Sequence, residues 1–436
     1  MQYCAIAAHA LPESILYFFS PLVKPKGANH KMKRKIFAAL LLLIFLPAVL
    51  CGCGSGLLSD DDGEEYLLED DDLADEAEDD DRFLDISKEI RGVWFSYLEL
   101  KAAPKESEKQ FSAYILSQFK KLQKLSVNCV FVQVRPFADA IYESEIFPSS
   151  SCVVKKRGDS LPFDFLRVIC EKGRKCGLSV HAWINPYRIL PRGESRSKLC
   201  EKSPGKTLSF PDVVEIDEGM FFSPASEKAR RLIISGVREI LGKYEVDGIH
   251  IDDYFYPSQK EKVDSSFYKE YLKGGGTLAL DSWRRENVNA LVSGIYSAVK
   301  ESGEDKIFSI SPGGDIEKNF SVYYADVERW GKEDGFCDVL IPQIYYGFKN
   351  ESKPFEKCAI GWRNIVKNDN VRLCAGLALY KRGKEDKFAG ERGKNEWKEE
   401  ELISRQIETL RTQGFDGFCL YSLQFVNFNE KLYPSG

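Results

Sequence analysis

The chain has 436 residues, 43% hydrophobic and 29% charged, long enough to bury one large core or two modest ones. Its formal net charge is −6, but residues 1–52 carry six basic groups and one acidic group and residues 60–81 carry 15 Asp or Glu, which leaves 82–436 slightly basic. That remainder has no Lys/Arg block dense enough for nucleic acid, so a nucleic-acid partner is excluded.

Residues 1–31 match no targeting pattern and read as an unstructured upstream extension before a true start at Met32. Met32-Lys33-Arg34-Lys35 is a short basic region, and the apolar run IFAALLLLIFLPAVL after it has the length of a secretory core rather than of a membrane span. The run ends in Leu50-Cys51-Gly52-Cys53, which resembles a bacterial lipobox, so 32–53 is expected to be a lipoprotein signal peptide ending at a lipidated Cys53. An uncleaved signal anchor is the alternative. Residues 54–86 hold the acidic block, which repels itself and has too little apolar surface to fold; they are expected to form a disordered tether. The expected location is lipid-anchored on a bacterial membrane. Of 12 cysteines, Cys4 and Cys51 would be removed and Cys53 lipidated, which leaves an odd number that cannot all pair.

From Arg91 onward, short runs rich in Val, Ile and aromatics alternate with helical patterns. The expected strands are 91–98, 129–136, 179–186, 247–254, 308–314, 338–347, 372–380 and 417–423. Between them, 111–125, 164–177, 226–244, 282–302 and 399–414 carry apolar residues at three- and four-residue spacing. Eight such alternations predict an α/β fold, a (β/α)8 TIM barrel over 87–428. A doubly wound open sheet is the competitor, but no glycine-rich phosphate turn follows the first strand.

Side chains alternate faces along a strand, which splits each one into two sets. In the second strand Val130, Val132 and Val134 oppose Phe131, Gln133 and Arg135; in the third, Val180, Ala182 and Ile184 oppose His181, Trp183 and Asn185. Ile249 and Ile251 oppose His250 and Asp252 in the fourth, and Phe308 and Ile310 oppose Ser309 and Ser311 in the fifth. The aliphatic sets must face the helices. The polar sets then converge on the lumen, joined by Gln343 and Tyr345 from the sixth strand, and the lumen is expected to be unusually polar. The competing reading is a satisfied internal network that rigidifies the barrel.

The blocks RGVWFSYLE, NCVFVQVRPFADAIYESEIFP, VHAWINPYRI, VDGIHIDDYFYP, ISPGG and PQIYYG resemble, in order and spacing, the glycosyl hydrolase-like 10 domain family, over nearly all of residues 89–425. The resemblance implies a TIM-barrel glycoside hydrolase of bacterial envelopes, some relatives acting on peptidoglycan strands. Cleavage of a glycosidic bond needs one carboxylate to stabilise or attack an oxocarbenium-like centre and a second carboxyl to protonate the leaving oxygen. Asp252 is the candidate for the ionised member. For the second, Asp139 in RPFADA comes first, since it matches an acidic position of the family motif; Asp253 follows, of the wrong parity unless the strand ends before it, and Glu143 is third. Arg135, Asn185, Gln343 and Tyr345 would hydrogen-bond the sugar, Trp183 and Tyr256 would offer faces to pyranose rings, and Gln133, His181 and His250 complete the substrate-facing set. His181, His250 and Asp252 form a conceivable metal trio without the H-x-H pair that would support one, so no metal or cofactor is expected. The order of 247–252 also resembles the fourth-strand motif of chitinase-like barrels, where a glutamate two residues on is the acid; here that position is Tyr254. The expected function is a membrane-tethered glycoside hydrolase of an envelope glycan, and the alternative is a non-catalytic glycan-binding lipoprotein on the same barrel.

Overall fold

The computed structural model describes residues 88–428. The upstream extension, the signal peptide with Cys53 and the acidic tether lie outside the described residues. Strands follow in chain order as β1 (Ile90–Phe95), β2 (Cys129–Arg135), β3 (Ser179–Ile184), β4 (Arg188–Pro191), β5 (Val213–Ile216), β6 (Gly219–Phe222), β7 (Gly248–Ile251), β8 (Ile307–Ile310), β9 (Val339–Leu340), β10 (Arg372–Leu377) and β11 (Gly417–Leu420). Eight of them, β1, β2, β3, β7, β8, β9, β10 and β11, close into a barrel in sequential order with every neighbour parallel. All eight coincide with expected runs. The other three, β4, β5 and β6, form a small antiparallel sheet inserted between β3 and β7 that the sequence reading did not anticipate.

Six helices of eleven residues or more wrap the barrel: α1 (Glu108–Lys124), α2 (Phe165–Lys175), α3 (Glu227–Lys243), α4 (Leu280–Ser302), α5 (Phe355–Ile365) and α6 (Leu402–Thr412). In α1 the buried residues Phe111, Ile115, Phe119 and Leu122 follow the helical period. Side chains of Ser107, Asp164 and Ser226 accept the N–H of Gln110, Arg167 and Ala229, which starts α1, α2 and α3. The unexpected helix is α5. It buries Phe355, Ala359 and Trp362 while Ile360 stays exposed, which blurs its apolar stripe.

The lower rim of the barrel repeats one device four times. Asp247, just before β7, donates its N–H to the Val180 carbonyl (2.9 Å), accepts the Val180 N–H on Oδ2 (2.6 Å), and offers its own carbonyl to the Ile307 N–H (3.1 Å). Asp338, before β9, does the same with Phe308 (2.9 and 2.7 Å) and Arg372 (2.9 Å). Asp416, before β11, does so with Leu373 (2.7 and 2.7 Å) and Ile90 (2.9 Å). Asn128, before β2, does so with Arg91 (3.1 and 2.8 Å) and Ser179 (3.0 Å). Closing a sheet staggers its strands, so N–H groups at alternate strand starts have no strand partner, and a short Asx side chain supplies the acceptor. The Asp416 bracket joins β10 to β1 and so closes the seam from below. From above, Glu99 closes it, accepting the Ser96 N–H (2.5 Å) just after β1 and both the Ser422 hydroxyl and the Gln424 N–H (2.8 Å each) just after β11.

Inside the ring lie Ile90, Trp94, Cys129, Phe131, Trp183, Ile307, Val339, Ile341, Cys374 and Cys419. Beside this apolar cluster the polar side chains Ser179, Gln133, His181, Asn185, His250, Ser309 and Ser311 are also buried. The nine cysteines of the described residues are all free thiols. Among the described residues no helix is long and apolar enough to cross a membrane.

The brackets can be tested singly. Asp338→Ala strands the buried Phe308 N–H and is expected to lower stability by about 1–3 kcal/mol in urea unfolding, whereas Asp338→Asn, which copies Asn128, is expected to lose less than half as much.

Candidate active site

The floor of the mouth is set by His250. The Trp94 indole donates to His250 Nε2 at 3.0 Å, and an indole N–H can only donate, so the imidazole proton sits on Nδ1 and goes to Ser309 Oγ at 2.8 Å. Burial holds this histidine well below its ordinary value, and it is a neutral, fully enclosed strut. His181 lies two residues below Trp183 on β3, roughly 7 Å down the strand, with its ring 5.2 Å from that of Phe131. Burial pushes it down to about 3. Neither histidine reaches the mouth: both are enclosed among the rings of Trp94, Phe131 and Trp183, and the substrate-facing expectation for both is corrected.

Above this floor stand two carboxyls. β7 ends at Ile251, so the chain is released from strand parity and Asp252 and Asp253 occupy one site despite being adjacent. Asp252 is 5% exposed, and its Oδ2 accepts from Asn185 Nδ2 (2.6 Å) and Trp183 Nε1 (3.1 Å). Gln133 Nε2 donates to Asn185 Oδ1, and the Tyr97 N–H donates to Gln133 Oε1 at 3.0 Å. Asp253 is half-buried beside Gln343. Gln343, also half-buried, bridges Gly313 and Gly376 beyond the short β9 and donates to the Ser311 carbonyl at 3.1 Å. Burial raises both carboxyls, and the Asp253 charge raises Asp252 further. Arg188 draws both down. Asp252 is the more enclosed of the two, and the two N–H donors on its Oδ2 oppose the effect of its burial.

Arg188, the first residue of β4, was missed by the sequence reading. Its guanidinium lies 4.6 Å from the Phe137 ring and 4.4 Å from the Tyr254 ring. The signal was present: a lone cation four residues beyond a barrel strand end, in INPYRI. Half-buried Tyr97, Tyr254, Tyr345 and Tyr421 surround the pair. Tyr345 meets Tyr380 and Tyr421 at 5.9 and 6.2 Å between ring centroids.

Four expected residues sit elsewhere. β2 carries a register shift between Gln133 and Arg135, so Arg135 pairs with Ile184 instead of continuing the Gln133 face. Its guanidinium points outward, 4.3 Å from the Phe147 ring and against α3 at Gly236, and neither terminal nitrogen has a hydrogen-bond partner among the described residues. Asp139 is fully enclosed and ion-paired with Arg157 at 2.7 Å. Glu143 is exposed, its N–H held by the Tyr244 hydroxyl just past the C-terminus of α3, at the end of the barrel opposite the mouth. The Tyr256 hydroxyl donates to Asp264 at 2.9 Å in a buried network with Arg284 and Tyr324, so no face of Tyr256 is offered to a ligand. Among the described residues no cluster of three or more His, Cys, Asp or Glu could hold a metal ion.

The model of the glycosyl hydrolase-like 10 family matches residues 89–391, the span that builds this mouth. The chain belongs to that family. Its similarity to glycosyl hydrolase YngK of Bacillus subtilis is 33% identity over 316 residues, 67% of this chain and 61% of YngK, so the chain spans less than two thirds of that relative. With glycosyl hydrolase DigH of Escherichia coli K12 it shares 28% identity over 336 residues, 69% of this chain and 76% of DigH. The fold of this glycosyl hydrolase-like 10 barrel is similar to the β-amylase catalytic domain of Paenibacillus polymyxa, with a TM-score of 0.51 at 13% identity over 82% of this chain and 96% of the other. It is similar in the same sense to α-L-fucosidase isoenzyme 2 of Paenibacillus thiaminolyticus, with a TM-score of 0.51 at 15% identity over 79% of this chain and 48% of the other.

Two outcomes follow for this family member. Arg135→Met removes a buried cation with unpaired nitrogens and is expected to melt no lower than the unsubstituted chain in calorimetry. The raised carboxyls of Asp252 and Asp253 mean that the unfolded chain ionises first, so their cost is absent below about pH 4 and grows as pH rises through the folded-state values. The double variant Asp252→Asn, Asp253→Asn is expected to gain about 2 °C or more in melting temperature over the unsubstituted chain by pH 8, and nothing at pH 4.

Proposed function

We propose that the chain is a glycoside hydrolase that cleaves O-glycosyl bonds in a cell-envelope glycan, peptidoglycan strands first among them, and that it is exported and held to a membrane through lipid on Cys53. The observation that carries the reading is the carboxyl pair Asp252 and Asp253 at the C-terminal end of a barrel strand, where this fold builds its active sites. Family membership supports it, and the signal-like 32–53 segment supports the envelope as the place where substrate is met.

In this reading Asp252 holds the proton and delivers it to the leaving glycosidic oxygen. Asp253, ionised beside it, stabilises the positive charge that develops at the anomeric carbon. Arg188 keeps one member of the pair ionised, because its charge opposes the burial that would otherwise protonate both. Tyr97, Tyr254, Tyr345 and Tyr421 supply ring faces and hydroxyls suited to pyranose rings. Gln343 orients a hydroxyl next to Asp253.

The second reading, a glycan-binding protein without catalysis, is favoured by Tyr254. It stands where chitinase-like barrels place a glutamate, and its ring is committed to Arg188. Incubating the purified chain with isolated glycan strands and a panel of polysaccharides, with a reducing-end assay, separates the two. New reducing ends are expected, and Asp252→Asn is expected to slow their release about 100-fold or more while glycan retention persists. Retention without any new ends would establish the binder.

A further inference from the structure

The hydrogen bonds that reach Asp252 have a fixed direction, and that direction is set at the far end of the site. The Tyr97 main-chain N–H is a donor only, so the Gln133 atom facing it at 3.0 Å is the amide oxygen. Gln133 Nε2 therefore points the other way and donates to Asn185 Oδ1. Asn185 is left with Nδ2 to face Asp252, and it meets Oδ2 at 2.6 Å. The Trp183 indole, again a donor only, adds a second N–H to the same oxygen at 3.1 Å. Among the described residues Asp252 Oδ1 has in contrast only the Tyr254 N–H at 3.5 Å, too long for a good hydrogen bond.

We infer that Gln133 is a positioning residue that acts through Asn185: the amide relay Tyr97–Gln133–Asn185 fixes the acid proton of Asp252 on Oδ1. The inference rests on the reading of Asp252 as the proton-holding carboxyl given above. An oxygen that accepts two N–H donors has no room for a proton aimed at them, so the hydroxyl of the protonated acid forms on the other oxygen. Were the relay reversed, Asn185 would present its own oxygen to Asp252, and the acid proton would be spent on that contact instead of on a leaving group. The sequence of donors is legible because its first group, the Tyr97 backbone N–H, can only donate.

The charged and titratable groups facing Asp252 are the Asp253 carboxyl beside it, the Arg188 guanidinium from β4 and the Tyr421 phenol past β11, with neutral His250 beneath on its own strand. Gln133→Met leaves all of these as they are, whereas Gln133→Glu adds a carboxylate to them. Gln133→Glu still accepts from Tyr97, but a carboxylate cannot donate, so Asn185 must turn its Nδ2 toward it and its oxygen toward Asp252. Loss of one donor, gain of one repulsive oxygen and the added negative charge all favour the protonated acid, so the neutral Gln133→Met isolates the effect of the relay.

The test is NMR on the purified full chain, following the Asp252 carboxyl carbon, assigned by its loss in Asp252→Asn, together with the side-chain amides of Gln133 and Asn185. In the unsubstituted chain all three are expected to shift with one common midpoint. In Gln133→Glu the Asp252 midpoint is expected to rise by about one pH unit, a tenfold gain in proton affinity, and the alkaline limb of kcat to move up with it. Gln133→Met, which cuts the relay without reversing it, is expected to give a smaller rise. An Asp252 midpoint that stays put in Gln133→Glu would overturn the inference. So would Gln133 and Asn185 amides that ignore the Asp252 titration in the unsubstituted chain, a measurement that needs no variant to fold. Absence of released reducing ends with the common midpoint intact would remove the hydrolase reading and leave the relay standing.

Discussion

Closing eight parallel strands into a ring leaves main-chain donors at its lower rim that no strand can satisfy, and the barrel meets this constraint with four Asx side chains. Asn128, Asp247, Asp338 and Asp416 each tie three consecutive strands by one side-chain acceptor and two main-chain bonds. A slip of one residue in any strand would break a bracket and bury an unpaired N–H, which costs more than the bracket itself contributes. Register is therefore fixed independently at four points. Asp416 from below and Glu99 from above hold the seam where the last strand meets the first.

The mouth depends on that register. Donors to the Asp252 network come from the turn after β1, from β2 and from β3, while the acceptor comes from the end of β7, so four elements must keep their heights to within the tolerance of a hydrogen bond. The Asp253 charge raises the cost of ionising Asp252, and a rigid ring is what keeps the two from moving apart to relieve it. Arg188 is set against them by a different means. Its guanidinium lies against two aromatic faces.

Strand parity guided the sequence reading well where strands were regular and failed where they were not. Gln133, Trp183 and Asn185 arrive at one network, as alternation requires. One residue further along β2, the register shift turns Arg135 to the helix side, where it lies against Phe147 and Gly236. Asp253 shows the opposite case: alternation assigned it to the wrong face, but β7 stops at Ile251 and the rule no longer applies. Tyr256 and Asp139 were drawn into buried pairs with Asp264 and Arg157, partners that are eight and 18 residues away in the chain and carry no local signature.

What the amino-acid sequence determined by itself is the architecture: eight apolar runs at barrel spacing, the helical patterns between them, and the family blocks that lie on the strand ends. Those features are local, because hydrophobic period and capping residues act over a few positions. Tertiary structure alone decided which polar groups share the mouth, which carboxyl is the more enclosed, and that Arg188 belongs there. Each of these depends on a bulge, a strand end or a partner distant in the chain, and burial, which raises the Asp252 carboxyl, exists only once the ring has closed.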